Sequence, residues 1–160
     1  MVENPEQEIG DLLRRRGLTL GIVESATGGL ISHRLTNVPG SSYYYQGSIT
    51  TYSNEIKIKL VGVRADTIRS YGAVSYQVAE EMAHGGREAL GVDICLADTG
   101  IAGPGGGAGG KDVGLFYLAL SHRKGTYSRK HNFHGNREQN KQSAAEAALD
   151  WLKEYLINLK

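Results

Sequence analysis

Apolar and polar positions change period several times along the chain, and each change marks an element. Residues 5–16 read as a helix that Gly17 can end, and residues 18–23 form a short apolar run suited to a buried strand. From residue 27 to about 37, Leu30, Ile31, Arg34 and Leu35 stand at helical spacing until Pro39 stops the run. The tyrosine-rich residues 43–52 alternate roughly and favour strand. Ser53 or Asn54 can cap a short helix carrying Ile56 and Leu60, and a further helical turn follows at residues 65–70. Ser75 opens a longer helix with Val78, Ala79, Met82, Ala83, Ala89 and Leu90 on its apolar face, closed by Gly91. Residues 92–97 are the next strand. Residues 113–120 and 126–133 are strands of opposite direction, because only the short segment around His122-Arg123-Lys124-Gly125 separates them. Asn136 caps a final helix that turns Ala144, Ala148, Trp151, Leu152, Tyr155, Leu156 and Leu159 to the core. Single strands set between helices, with one late hairpin, predict an α/β fold: one three-layer α/β/α domain over residues 1–160, with a mixed sheet covered on both faces.

Composition narrows the function. With 160 residues, 40% apolar and 22% charged, the chain is sized for one domain with a real core, and its 22 glycines point to tight loops. No stretch is long and apolar enough to span a bilayer, and the acidic, polar start of the chain is unlike a signal peptide. A cytoplasmic protein is expected. The single cysteine, Cys95, lies in an apolar run and reads as a small buried hydrophobe. A net charge of +1 argues against a dedicated nucleic-acid binder. The one basic run, Arg14-Arg15-Arg16, sits where cations complement a helix C-terminus.

Candidate chemistry gathers at strand ends. Glu24-Ser25-Ala26-Thr27-Gly28-Gly29 sets a serine between an apolar strand and a helix opening on two glycines, whose N–H groups could stabilise an oxyanion. Serine in this position also caps helices, and the residues alone leave both roles open. Thr99-Gly100-Ile101-Ala102-Gly103-Pro104 follows another strand, at the sheet edge where ligands of α/β proteins bind. The run from Gly105 to Asp112 partly fits both the dinucleotide and the Walker patterns. A strand rather than a helix is predicted after it, so neither applies. The five histidines include no H-E-x-x-H or other established metal spacing, and His131-x-x-His134 is weak evidence for a metal. Lys57, five residues after Tyr52 on the short third helix, is a candidate base if a desolvated site keeps it neutral.

Taken in order, Glu24-Ser25-Ala26-Thr27-Gly28-Gly29, Val38-Pro39-Gly40-Ser41-Ser42, Thr51-Tyr52-Ser53-Asn54-Glu55-Ile56-Lys57, Gly72-Ala73-Val74-Ser75, Thr99-Gly100-Ile101-Ala102-Gly103-Pro104 and Gly135-Asn136-Arg137 resemble the blocks of the CinA C-terminal domain family across nearly the whole chain. The resemblance implies an amidohydrolase that converts nicotinamide mononucleotide to nicotinate mononucleotide and ammonia, with no metal and no cofactor. It implies Ser25 as nucleophile, Lys57 as general base, and Tyr52 and Thr99 as supporting polar groups. Thr27, Gly28, Gly29 and Gly100 would border the substrate, and Arg137 would hold its phosphate. Tyr43, Tyr44 and Tyr45 are candidates to stack on the pyridinium. Homo-oligomerisation is expected from the family alone.

Departures from the family pattern are Ala26 for cysteine, Asn136 for aspartate, Asp98 for an apolar residue, and Asp112 for proline after Lys111. Longer members carry an N-terminal domain resembling molybdopterin-binding proteins; no such domain is expected within these 160 residues, nor the pyrophosphate-bond hydrolysis tied to it. The competing reading is a divergent member that keeps the pocket as a small-ligand or partner-binding module.

Overall fold

The computed structural model describes residues 4–160, leaving Met1, Val2 and Glu3 outside. Asn4 accepts the N–H of Gln7 and Pro5 stands at the first helical turn, so helix α1 (Pro5–Arg16) starts with its leading donors satisfied. Arg14, Arg15 and Arg16 fill its last turn, and Gly17 closes it in the left-handed region at φ 64°. The chain continues through β1 (Leu20–Glu24), α2 (Leu30–Thr36), β2 (Tyr45–Thr50), α3 (Asn54–Val61), α4 (Ala65–Tyr71) and α5 (Tyr76–Leu90). Then follow β3 (Ile94–Gly100), the hairpin β4 (Leu115–His122) and β5 (Gly125–Asn132), and α6 (Arg137–Asn158).

The strands form one sheet in the order β2-β1-β3-β4-β5. β1 runs parallel to both β2 and β3, whereas β3–β4 and β4–β5 are antiparallel, so the sheet is mixed, as the sequence predicts. Alternation along the strands divides two cores. Leu20 and Ile22 of β1, with Ile94 and Leu96 of β3, pack against Ile9 and Leu13 of α1, Ile31 and Leu35 of α2, and Leu149 and Leu152 of α6. Val23, Cys95 and Ala97 point the other way, onto Val78, Ala79, Met82 and Ala83 of α5. The three-layer arrangement is thus written in the period-2 pattern of two buried strands. No described helix is long and apolar enough to cross a membrane.

Helix α5 reaches its neighbours through two glycines. A Cβ on Gly86 would stand 2.2 Å from Val23 Cγ2 and 2.9 Å from Cys95 Sγ, so only glycine lets the helix lie this close to the sheet. A Cβ on Gly85 would meet the Val61 carbonyl oxygen at 1.6 Å, so the same helix also admits the end of α3.

Several boundaries differ from the sequence reading. Helix α2 begins at Leu30 rather than residue 27, because Gly28 and Gly29 take φ of 62° and 108° and make a turn. The segment at residues 43–52 is not one strand: Ser41–Tyr43 is a 3-10 turn, and Tyr44 is buried beneath α1 against Gly10. β3 runs on to Gly100, pairing Asp98 with Leu118 and Thr99 with Tyr117 of β4. Residues 113 and 114 precede β4, since Gly114 sits at φ 89° against the Phe133 carbonyl. Ala89 is exposed, and Gly86 takes a buried place on that face. Leu159 lies past the end of α6 and is half-buried.

Candidate functional site

Because β2, β1 and β3 are parallel, their carboxyl ends share one edge of the sheet. From β1 the chain departs toward β2, and from β3 it departs toward β4, so a crevice opens between the two strand ends. Ser25 follows β1 directly, Thr99 lies at the end of β3, and Thr51 and Tyr52 follow β2. A cleft of about 310 Å³ lies there, bordered by Ser25, Tyr52, Lys57, Thr99, Gly100 and Arg137. A larger groove of about 650 Å³ runs along α5 past Glu81 and His84, away from these side chains.

Lys57 is 2% exposed. Ser53 caps α3 by accepting the Ile56 N–H, which fixes the first turn and aims Lys57 into the crevice. Its Nζ lies 3.0 Å from Ser25 Oγ, 2.7 Å from the Thr51 carbonyl and 3.2 Å from the Tyr52 carbonyl. Burial lowers its pKa from the ordinary lysine value, with the Asp98 charge acting in the opposite direction. The Thr99 hydroxyl donates to the Ala73 carbonyl at 2.8 Å and so ties the end of β3 to the segment before α5.

Arg137, in the first turn of α6 after the Asn136 cap, donates through Nη1 to the Gly103 carbonyl at 2.6 Å and through Nη2 to the Tyr52 hydroxyl at 3.3 Å. Three segments meet at the mouth of the cleft. Tyr52 is the tyrosine bordering it, with 65% of its surface exposed. Tyr43, Tyr44 and Tyr45 are not among the bordering residues; Tyr43 instead holds the Arg14 guanidinium over its ring at 4.4 Å.

The residues after Ser25 take places other than those the sequence suggests. Thr27, Gly28 and Gly29 do not border the cleft. Thr27 is buried, with its hydroxyl between Glu24 and Asp98. The Gly28 N–H donates to the Ser25 carbonyl and closes the turn, so it is spent within the protein. The N–H groups of Ile31 and Ser32 at the start of α2 are taken by the Glu24 carboxylate. Glu24 thus occupies the helix end that sequence reasoning assigned to a ligand, for the physical reason that a carboxylate one strand-end away is always present. Asp98 neither faces solvent nor intrudes on the cleft: it is fully buried and accepts the N–H groups of Ser25 and Thr27. Lys111 lies outside the cleft lining and donates to the Tyr71 and Val74 carbonyls, pinning the glycine-rich loop.

Fold and crevice together define a three-layer α/β protein with a buried serine–lysine pair at the switch point of its sheet. Residues 2–156 match the model of the CinA C-terminal domain, and the chain belongs to that family. It is 49% identical over 144 residues to a putative competence-damage inducible protein of Moorella thermoacetica, covering 90% of this chain and 35% of that protein. It is 43% identical over 158 residues to a CinA-like protein of Geotalea uraniireducens, covering 99% of this chain and 38% of that one. The chain therefore spans little more than a third of these relatives. Among solved structures, the competence damage-inducible protein A of Klebsiella pneumoniae superposes with a TM-score of 0.95 at 32% identity, over 98% of this chain and 97% of that one. The competence/damage inducible protein CihA of Agrobacterium tumefaciens does so with a TM-score of 0.90 at 34% identity, with the same coverage of each chain.

Proposed function

We propose that this domain is an amidohydrolase that deamidates nicotinamide mononucleotide to nicotinate mononucleotide and ammonia. The observation that carries the reading is the setting of Lys57 Nζ, buried, 3.0 Å from Ser25 Oγ and facing the Thr51 and Tyr52 carbonyls. As a neutral amine, Lys57 gives its two protons to those carbonyls and keeps its lone pair for the serine hydroxyl. That is the arrangement a general base needs.

In this reading Lys57 takes the Ser25 proton as Oγ bonds to the carboxamide carbon. The C=O electrons move to oxygen, and the Ala26 N–H, at the cleft and donating to no group among the described residues, is the candidate donor to that oxyanion. The Lys57 ammonium then protonates the amide nitrogen, the C–N bond breaks, and ammonia leaves an acyl-serine. Water delivers a proton to Lys57 and its oxygen to the acyl carbon; return of a proton to Ser25 Oγ releases the nicotinate product. The Arg137 guanidinium, with two of its five N–H groups engaged, is suited to the substrate phosphate. The exposed Tyr52 ring suits the pyridinium cation.

The test is ammonia release from nicotinamide mononucleotide by the purified chain. Ser25→Ala should reduce it to background and Lys57→Ala by about 10²–10⁴-fold, with circular dichroism unchanged. Persistent activity in Ser25→Ala would sink the acyl-enzyme route. A wild-type chain that binds the nucleotide without releasing ammonia would make the domain a ligand-binding module.

A further inference from the structure

Thr27 Oγ1 lies 2.7 Å from Glu24 Oε1 and 2.5 Å from Asp98 Oδ1, and all three residues are buried. A hydroxyl has one proton, so it can donate to only one of two carboxylates. Were both ionised, one of these short contacts would set lone pair against lone pair in a site closed to water. One carboxyl must therefore hold a proton of its own.

The remaining donors decide which. Glu24 accepts the N–H groups of Ile31 at 2.9 Å and Ser32 at 3.0 Å, and the Ser32 hydroxyl at 2.6 Å. With the Thr27 hydroxyl added, that is a shell suited to an anion. Asp98 receives two, the N–H groups of Ser25 at 3.0 Å and Thr27 at 3.2 Å, and its neighbour across β4 is the apolar Leu118.

We infer that Asp98, not Glu24, is the carboxyl that holds this proton, donating from Oδ1 to Thr27 Oγ1, whose own proton goes to Glu24, and that Asp98 positions Ser25 and governs the charge of Lys57 by keeping or losing it. Ser25 is the joint, since its N–H bonds Asp98 while its Oγ meets Lys57. The charged groups acting on Asp98 are Glu24 from β1 and Lys57 from α3. Burial lifts the Asp98 carboxyl to about 6, against the hydrogen bonds it accepts from the Ser25 and Thr27 N–H groups, with the Glu24 charge adding to the rise. A protonated Asp98 leaves Lys57 free to be an amine. Once Asp98 ionises, an anion stands behind Ser25 and favours the Lys57 ammonium, which has no lone pair for the serine proton. The effect on Lys57 rests on the deamidase reading; the proton on Asp98 does not.

The experiment is a carboxyl ¹³C titration of the whole chain labelled at aspartate, with the Asp98 resonance assigned by its loss in Asp98→Asn. One aspartate should titrate about two pH units above the usual value near 4. In Thr27→Val the midpoint should fall, because the acid loses its acceptor; a rise would mean that Thr27 donates to an ionised Asp98 and would overturn the inference. So would an Asp98 that titrates with the other aspartates. In the pH profile of ammonia release, the acidic limb of Asp98→Asn should move down by about one unit, since no anion can form behind Ser25. An unmoved limb would remove Asp98 from the control of Lys57. The titration needs no substrate: a raised midpoint in a chain that releases no ammonia would keep the proton on Asp98 and retire the deamidase reading instead.

Discussion

An ammonium at Lys57 would give one proton to each of its three oxygen neighbours, whereas an amine gives two and keeps a lone pair. Burial tips the balance toward the amine by lowering the pKa. The unfolded chain consequently binds this proton more tightly than the folded one. As pH rises from the folded pKa toward 10.5, Lys57 thus adds stability, and the base form appears over the lower part of the same window. Lys57→Met should leave the Thr51 and Tyr52 carbonyls unpaired and cost about 1–3 kcal/mol, read by urea denaturation. Lys57→Arg should fold and release no ammonia, because a guanidinium does not give up its proton. Ser25 and Lys57 were legible as candidates because their residue types carry chemistry at strand ends. Asp98 was not legible as their support, since a single acidic residue at the end of an apolar run looks the same whether it faces water or a buried threonine.

At the scale of elements, two adjacent glycines of α5 do different work. Gly86→Ala would press a methyl group onto Val23 and Cys95, side chains with little room to yield. Overpacking of this kind costs about 1–3 kcal/mol and outweighs the gain of about 1 kcal/mol in helix propensity, so a net loss is expected on thermal melting. Gly85→Ala would strike the backbone of Val61 and push out the end of α3. Lys57 rides on α3, so ammonia release should fall more in Gly85→Ala than in Gly86→Ala at matched stability. The helices themselves were legible from caps and spacing, as Ser53, Ser75, Gly91 and Asn136 all stand where predicted. What spacing could not reveal was tertiary override at the ends of β1 and β3. Glu24 accepts hydrogen bonds from the start of α2 across the turn at Gly28 and Gly29, and pairing with β4 carries β3 through three residues that propensity would leave in a loop.

For the whole molecule, the raised carboxyl of Asp98 has a defined sign. Between the unfolded value near 4 and the folded value of about 6, the native chain binds more protons than the unfolded one, so this residue's contribution to stability falls as pH rises. A shift of that size corresponds to about 3 kcal/mol. Subtracting the pH–stability curve of Asp98→Asn from that of the wild type should isolate it. The layer order was legible because buried strands alternate between two cores; the meeting of distant segments at the cleft was not, since nothing local to Tyr52, Gly103 or Arg137 marks them as neighbours. Yet it is Arg137, reaching back from α6 to Gly103 and Tyr52, that completes the mouth. A molecule bound there would clasp the last helix to the middle of the chain, and its binding energy would appear as folding energy. At a hundred times its dissociation constant, such a ligand would stabilise the chain by about 2.7 kcal/mol, so melting temperature alone can report which small molecules the cleft accepts, whether or not they react.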